Sequence, residues 1–263
     1  MTFDADLTAC AQMVQKADPD RFAAVMASPL AARYTLFPLY AFSIEVSRAP
    51  WVTQEPMIAE MRLQWWRDAL EEIANGAAVR RHEVVTPLTR VLDVEDARLL
   101  DRMVAARRWD IYKDAFEDAA HFNRYIEETA GILIQVAARA LARQGSCQET
   151  LSSAAEEAVL KLGQAHGFAR FLQAIPDLEA RGRVPLVDGR VEAISARAEE
   201  VLGQCPSRKE LRRLLPRALW PATTEAFQAL YLLRQAATQP MRVAEGTLAL
   251  HPVVRSWCLW RWS

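Results

Sequence analysis

Glycine is scarce in this chain of 263 residues, with nine in all, and β-branched runs are few, which argues against a fold built from strands and tight turns. Its four cysteines, Cys10, Cys147, Cys205 and Cys258, are far apart, with no Cys-x-x-Cys pair and no histidine at ligand spacing. A zinc site or disulfide framework is therefore not expected, which suits a reducing cytosol. Neither sign of charge is in excess: 32 basic and 33 acidic residues leave a net charge of −1. No bulk field then draws nucleic acid, none is expected as a partner, and any contact with anionic lipid must be local. Long hydrophobic runs are missing too. The most apolar stretch, residues 130–142, is interrupted by Gln135 and Arg139 and is too short to span a bilayer. Asp4 and Asp6 stand where a signal peptide would be basic and then apolar, so a cytoplasmic protein is expected. His82, His121, His166 and His251 show no His-x-x-x-His spacing, and no Gly-x-Ser-x-Gly occurs, which removes the commonest metalloprotease and serine-hydrolase signatures.

What is present is helical. Long stretches of Ala, Leu, Arg and Glu, with 51% hydrophobic and 25% charged residues, predict an all-α protein with a sizeable core, arranged as a single domain over 1–263. Helices are expected from Asp4 or Asp6 to about Lys16, after Asp18-Pro19-Asp20, and from Ser28-Pro29 toward Arg48 with Pro38 as a kink or break. Another should open at Glu55-Pro56 and end at Asn75-Gly76. Further helices are expected over 87–92, 96–112, 115–144 with Gly145 ending the last, and 150–174. Pro176 should end the last of these and start a loop. Shorter amphipathic stretches follow over 189–203 and 207–218, then a helix over 221–238. The second short stretch is very basic, with Arg208, Lys209, Arg212, Arg213 and Arg217, and reads as a solvated face in preference to a phosphate-binding patch.

Residues 162–175 place Gly163, Gly167 and Ala174 near one side of a helix and Phe168, Phe171, Leu172 and Ile175 on another, so a second backbone can approach the small side. His166 lies in the same helix, where a lone histidine is more often a hydrogen-bonded wall residue than a base. Asp110, Asp114 and Asp118 are spaced i, i+4, i+8; on one continuous helix they would share a side and form a carboxylate array able to hold magnesium, although Arg107, Arg108 and Lys113 are interleaved. The tail carries Trp257, Trp260 and Trp262 beside Arg255 and Arg261. Such a tail either folds back on the bundle or forms a peripheral membrane contact, at the inner face for a cytoplasmic protein.

Four ordered motifs resemble the squalene/phytoene synthase family. Leu39-Tyr40-Ala41-Phe42 is similar to the start of its first signature, Tyr-Ala-Phe-Cys-Arg-x-x-Asp-Asp-x-x-Asp. Arg62-Leu63-Gln64-Trp65-Trp66-Arg67-Asp68 is similar to its Arg-Leu-x-Trp-Trp-Arg-Asp, and Tyr125 with Thr129-Ala130-Gly131 to its Tyr-Cys-x-x-Val-Ala-Gly. Leu172, Arg181, Gly182, Arg183 and Leu186 align with the second signature. The resemblance implies a helical bundle of the isoprenoid synthase type with a central cavity, lined here by Tyr40, Phe42, Tyr125, Ala130, Gly131, Gly163, His166, Gly167 and Phe171.

For the family, the resemblance also implies Mg²⁺-dependent prenyl transfer in isoprenoid and carotenoid biosynthesis, with aspartates bridging the leaving diphosphate through metal. This chain departs at those positions. Ser47, Arg48 and Trp51 occupy the first aspartate motif, Ala174 and Leu178 the second, and Gln173 replaces the neighbouring arginine. The pattern is most similar to the degenerate branch that includes a mitochondrial assembly factor of respiratory complex I. The expectation is thus a non-catalytic protein with no cofactor, which binds a hydrophobic lipid or isoprenoid, or a respiratory-complex protein. The alternative is a prenyl-diphosphate transferase acting on farnesyl or geranylgeranyl diphosphate through Mg²⁺ at a rebuilt site.

Overall fold

The computed structural model describes residues 4–144 and 151–263, and among them every regular element is helical. The first helices begin at side-chain caps. Asp4 accepts from the Leu7 amide (2.9 Å) to start α1, Ala5–Ala17, and Asp18 accepts from the Arg21 amide (3.1 Å) to start α2, Pro19–Met26, whose leading proline needs no hydrogen bond. Helix α3, Leu30–Arg48, buries Leu36, Phe37, Leu39, Tyr40 and Phe42 almost completely, so apolar side chains surround it and it runs through the core. Pro38 lies inside α3 without breaking it.

Helix α4, Pro56–Ala74, ends where Gly76 takes φ +61 and the Ala77 amide reaches back to the Glu72 carbonyl (3.0 Å), a left-handed cap that glycine adopts without a Cβ penalty. The Trp-Trp pair of α4 packs in the core: Trp66 is edge-on to Phe42 at 5.3 Å. A short α5, Val85–Leu88, leads to α6, Val94–Ala106, which Asp93 caps. Asp96 of α6 is fully buried beneath Arg139 and Arg143. Both arginines belong to the helix over residues 132–144, so this cluster ties the two helices together.

The helix expected over 96–112 stops early. A 3₁₀ turn, Arg107–Asp110, follows α6, and the backbone is irregular to Asp118, which caps α7, Ala119–Ile126. A π-helical turn, Glu127–Gly131, joins α7 to α8, Ile132–Gln144. Gly145, Cys147 and Thr150 lie outside the described residues.

Helix α9, Ser153–Ala180, is the longest, starts at the Ser152 cap and passes through Pro176. Burial of Ile175 and Leu178 on either side of that proline holds the last turn against the bundle, which outweighs the local preference to stop. The remaining helices are α10, Val191–Gln204; α11, Arg208–Leu214; α12, Trp220–Thr224; α13, Ala229–Thr238; α14, Met241–Ala244; and α15, Pro252–Trp262. The single helix expected over 221–238 is thus two, with a turn between them. Helix α9 packs on the π turn, α8 and α13, and one continuous apolar core links α1 through α15.

Candidate functional site: a cavity stripped of its acidic pairs

Between α3, the π turn and α9 lies a cavity of about 520 Å³, within the size range of small-molecule sites. Ser43 and Ser47 of α3, Trp51, Tyr125 of α7 and Ala130 of the π turn line it, and α9 contributes His166, Gly167, Arg170, Phe171, Ala174, Asp177 and Leu178. Of the residues expected on its wall, Tyr125, Ala130, His166, Gly167 and Phe171 are there. Tyr40 and Phe42 are buried in the core of α3, and Gly131 and Gly163 lie in a helix contact instead. A Cβ on Gly163 would come within 2.7 Å of the Gly131 Cα; these two glycines let backbones touch.

The positions of the missing aspartates face the cavity through Ser47, Trp51, Ala174 and Leu178. Ser47 donates to its own helix, at the Ile44 carbonyl (3.0 Å). Arg48 points elsewhere, exposed beside Glu45 (3.9 Å), so it does not repel cations from the cavity. Gln173 donates to the Leu248 carbonyl (2.8 Å).

Two ion clusters border the cavity. In the first, Arg21 donates to Glu225 (2.8 Å), Asp18 is close to Arg21 (3.9 Å) and Arg170 (3.6 Å), and His166 lies 3.9 Å from Glu225. Burial pushes the His166 pKa down to about 3, with Arg21 and Arg170 adding to it and Asp18 opposing, so the ring is neutral at physiological pH. Burial pushes the Asp18 carboxyl up, but Arg21 and Arg170 outweigh it and hold the pKa below its usual value. Glu225 goes the other way, raised by burial despite Arg21. Its Oε1 and the Tyr40 hydroxyl are buried without a well-formed hydrogen bond.

In the second cluster, the Tyr125 hydroxyl donates to Asp110 Oδ1 (2.9 Å), and Arg107 donates to both Asp110 Oδ2 (3.1 Å) and that hydroxyl (3.1 Å). Burial, with the Asp110 charge, raises the Tyr125 pKa far above the ordinary phenol value. Arg183 lies over the Trp109 ring (4.2 Å) and donates to the carbonyls of Trp109 (2.7 Å), Asp110 (2.9 Å) and Tyr112. That fork closes the backbone after α6 and removes the continuous helix on which three aspartates could line up. Asp110 is buried in the cluster, Asp114 is exposed, and Asp118 caps α7; the acidic array that one continuous helix would have made of them does not form.

Magnesium does not fit this donor set. The lining offers Asp18, Asp110 and Asp177 against Arg21, Arg107, Arg170 and Arg181, and the first two carboxylates are engaged by arginine. Among the described residues no three His, Cys, Asp or Glu side chains converge as a metal site. Chemically, the lining sets the rings of Phe171 and Tyr125, 6.0 Å apart, beside the guanidinium groups of Arg170 and Arg181, an apolar wall next to cations of the kind that bind anionic groups. Arg170 and Arg181 were legible in principle, since 166, 170, 174, 177 and 181 recur at helical spacing. The Arg21–Glu225 pair, 204 residues apart, left no local signal.

Fold and site together define a helical bundle of the isoprenoid synthase type whose cavity has lost the carboxylates of both metal motifs. A dehydrosqualene synthase crystal structure superposes with a TM-score of 0.76 over 98% of this chain and 95% of that one, at 15% identity. Squalene synthase HpnC from Alicyclobacillus acidocaldarius gives 0.54 over 97% and 92%, at 16% identity. The squalene/phytoene synthase family model matches residues 14–250, and the chain belongs to that family. Among curated relatives it is similar to the NADH dehydrogenase (ubiquinone) complex I assembly factor 6 homolog of Drosophila melanogaster, 30% identical over 73% of this chain and 57% of that protein. Complex I assembly factor 6 of Homo sapiens is 24% identical over 66% of this chain and 51% of that protein. The chain spans a little over half the length of these relatives.

Proposed function

We propose that this protein is a non-catalytic member of its family that assists assembly of a respiratory complex, without a metal cofactor, in the cytoplasm at the inner face of a membrane. The observation that carries the reading is the cavity wall: Ser47, Trp51, Ala174 and Leu178 stand where diphosphate chemistry needs carboxylates, while the fold around them is retained. Leaving-group stabilisation by metal contributes several kcal/mol to such a reaction, and no carboxylate pair on this wall is left to hold that metal. The names of the relatives support a respiratory-complex partner. The cavity itself holds a lipid or isoprenoid with an anionic head, which Arg170 and Arg181 receive at the mouth.

Deletion of the gene in its own host tests the partner. Assembled complex I, read on a native gel together with NADH–quinone reductase activity, should fall and be restored by the wild-type gene. Unchanged complex I in the deletion strain would overturn the reading.

A further inference from the structure

Helix α15 is attached to the bundle by one side and presents a second apolar side to solvent. At about 100° per residue, Cys258 and Trp262 fall together, and both are buried. Val253, Trp257 and Trp260 fall within about 60° of one another on the opposite side, and are 70%, 43% and 75% exposed. Trp257 is oriented by Tyr231, edge-on at 6.2 Å, and by the Arg261 guanidinium at 5.1 Å. Trp262, which the sequence groups with the other two, belongs to the core and takes no part in this face.

The basic segment formed by α11 and the turn after it approaches the end of α15, where Arg217 and Ser263 line one cleft. Arg208 is within electrostatic reach of Arg212 and Arg261, and its buried Nε has no hydrogen-bond acceptor. Arg212 stacks on Trp220 at 4.3 Å, and Lys209, Arg213 and Arg217 are exposed. Among the described residues none of these six cations meets a carboxylate at ion-pair distance, whereas Arg21, Arg67, Arg80, Arg139 and Arg143 all do. In a chain of net charge −1, this is a local excess of positive charge, six cations against Glu210 alone, near a narrow indole stripe.

We propose that α11 and α15 form a peripheral docking surface for a bilayer containing anionic phospholipid. Val253, Trp257 and Trp260 would settle at headgroup depth, where indole rings partition, while the cations of α11 and Arg261 meet lipid phosphates. Charge complementarity selects this occupant: six cations face a single acidic residue, Glu210 of α11, which pairs with none of them, and the apolar stripe is one helix long, suited to shallow immersion rather than to a broad protein interface. No helix among the described residues is long and apolar enough to cross a membrane, so the contact is a surface one. It stands independently of the complex I reading.

The test is co-sedimentation of the full chain with vesicles of equal parts phosphatidylcholine and phosphatidylglycerol, and with phosphatidylcholine alone. Binding is expected to the first, to weaken with salt, and to be absent from the second. Two variants, Val253→Ser with Trp260→Ser, and Lys209→Gln with Arg213→Gln and Arg217→Gln, should each weaken binding about tenfold or more while their melting curves match wild type. No binding to either vesicle would overturn the proposal and leave a protein as the occupant of this face. Equal binding to neutral vesicles, or full binding by both variants, would overturn it as well.

Discussion

Gly163→Ala places a methyl group where two helices touch by backbone. The added Cβ would lie 2.7 Å from the Gly131 Cα, 3.1 Å from the Gly131 carbonyl oxygen and 3.2 Å from that of Ala130. Carbon atoms rest at about 3.5–4.0 Å, so α9 must withdraw from the π turn by roughly 1 Å at this point. All three obstacles are main chain, and no rotamer change relieves them. Overpacking of this kind costs about 1–3 kcal/mol, and the better helix propensity of alanine returns about 1 kcal/mol. With rigid neighbours the cost lies toward the top of its range, for a net loss of about 2 kcal/mol. At about 2–4 °C per kcal/mol for a chain of this size, Tm should fall by about 4–8 °C. Gly203→Ala is the control, because it too is helical but nothing lies within 4 Å of its Cβ; it should leave Tm unchanged or raise it slightly. If Gly163→Ala were as stable as Gly203→Ala, close backbone packing would not be the reason for the glycine.

Two further outcomes follow from the buried charges. Arg21→Ala leaves Glu225 buried without its partner and should cost about 3–5 kcal/mol in urea unfolding, while Arg21→Met combined with Glu225→Leu should cost clearly less than the sum of the single changes; additive losses would count against a coupled pair. His166, with its pKa near 3 in the folded chain against about 6.5 unfolded, stays neutral where the unfolded chain takes up a proton. Its contribution is therefore present above about pH 6.5 and is lost as pH falls, by up to about 1.4 kcal/mol per unit. Unfolding free energies measured from about pH 7 to 5 should slope less in His166→Asn than in wild type, and equal slopes would refute a ring held neutral by the fold.

The class of fold was legible because helical periodicity and four ordered motifs recur in a chain with little glycine and few β-branched runs. Helix ends were less so. Pro176 signals a stop locally, but Ile175 and Leu178 are buried around it, and tertiary packing prevailed. The spacing of Asp110, Asp114 and Asp118 is that of one helix face, yet the backbone there is fixed by Arg183, more than seventy residues away, which no local pattern reveals. In the cavity, the absent aspartates could be read directly at Ser47, Trp51, Ala174 and Leu178. The ion clusters beside them could not, because Arg21 with Glu225 and Arg107 with Tyr125 meet only when α2 reaches the α12–α13 turn and the 3₁₀ turn after α6 reaches α7. The tryptophan tail divided by helical phase, with Trp262 inward and Trp260 outward, once α15 was seen to be a helix.

Pyrophosphate release from farnesyl or geranylgeranyl diphosphate by the purified chain, with and without Mg²⁺, bears most directly on a cavity without its acidic pairs. No release above the protein-free rate is expected under either condition, since no carboxylate pair faces the leaving group. Mg²⁺-dependent release, abolished by Asp110→Asn or Asp177→Asn, would contradict it and place catalysis on the cavity's remaining aspartates.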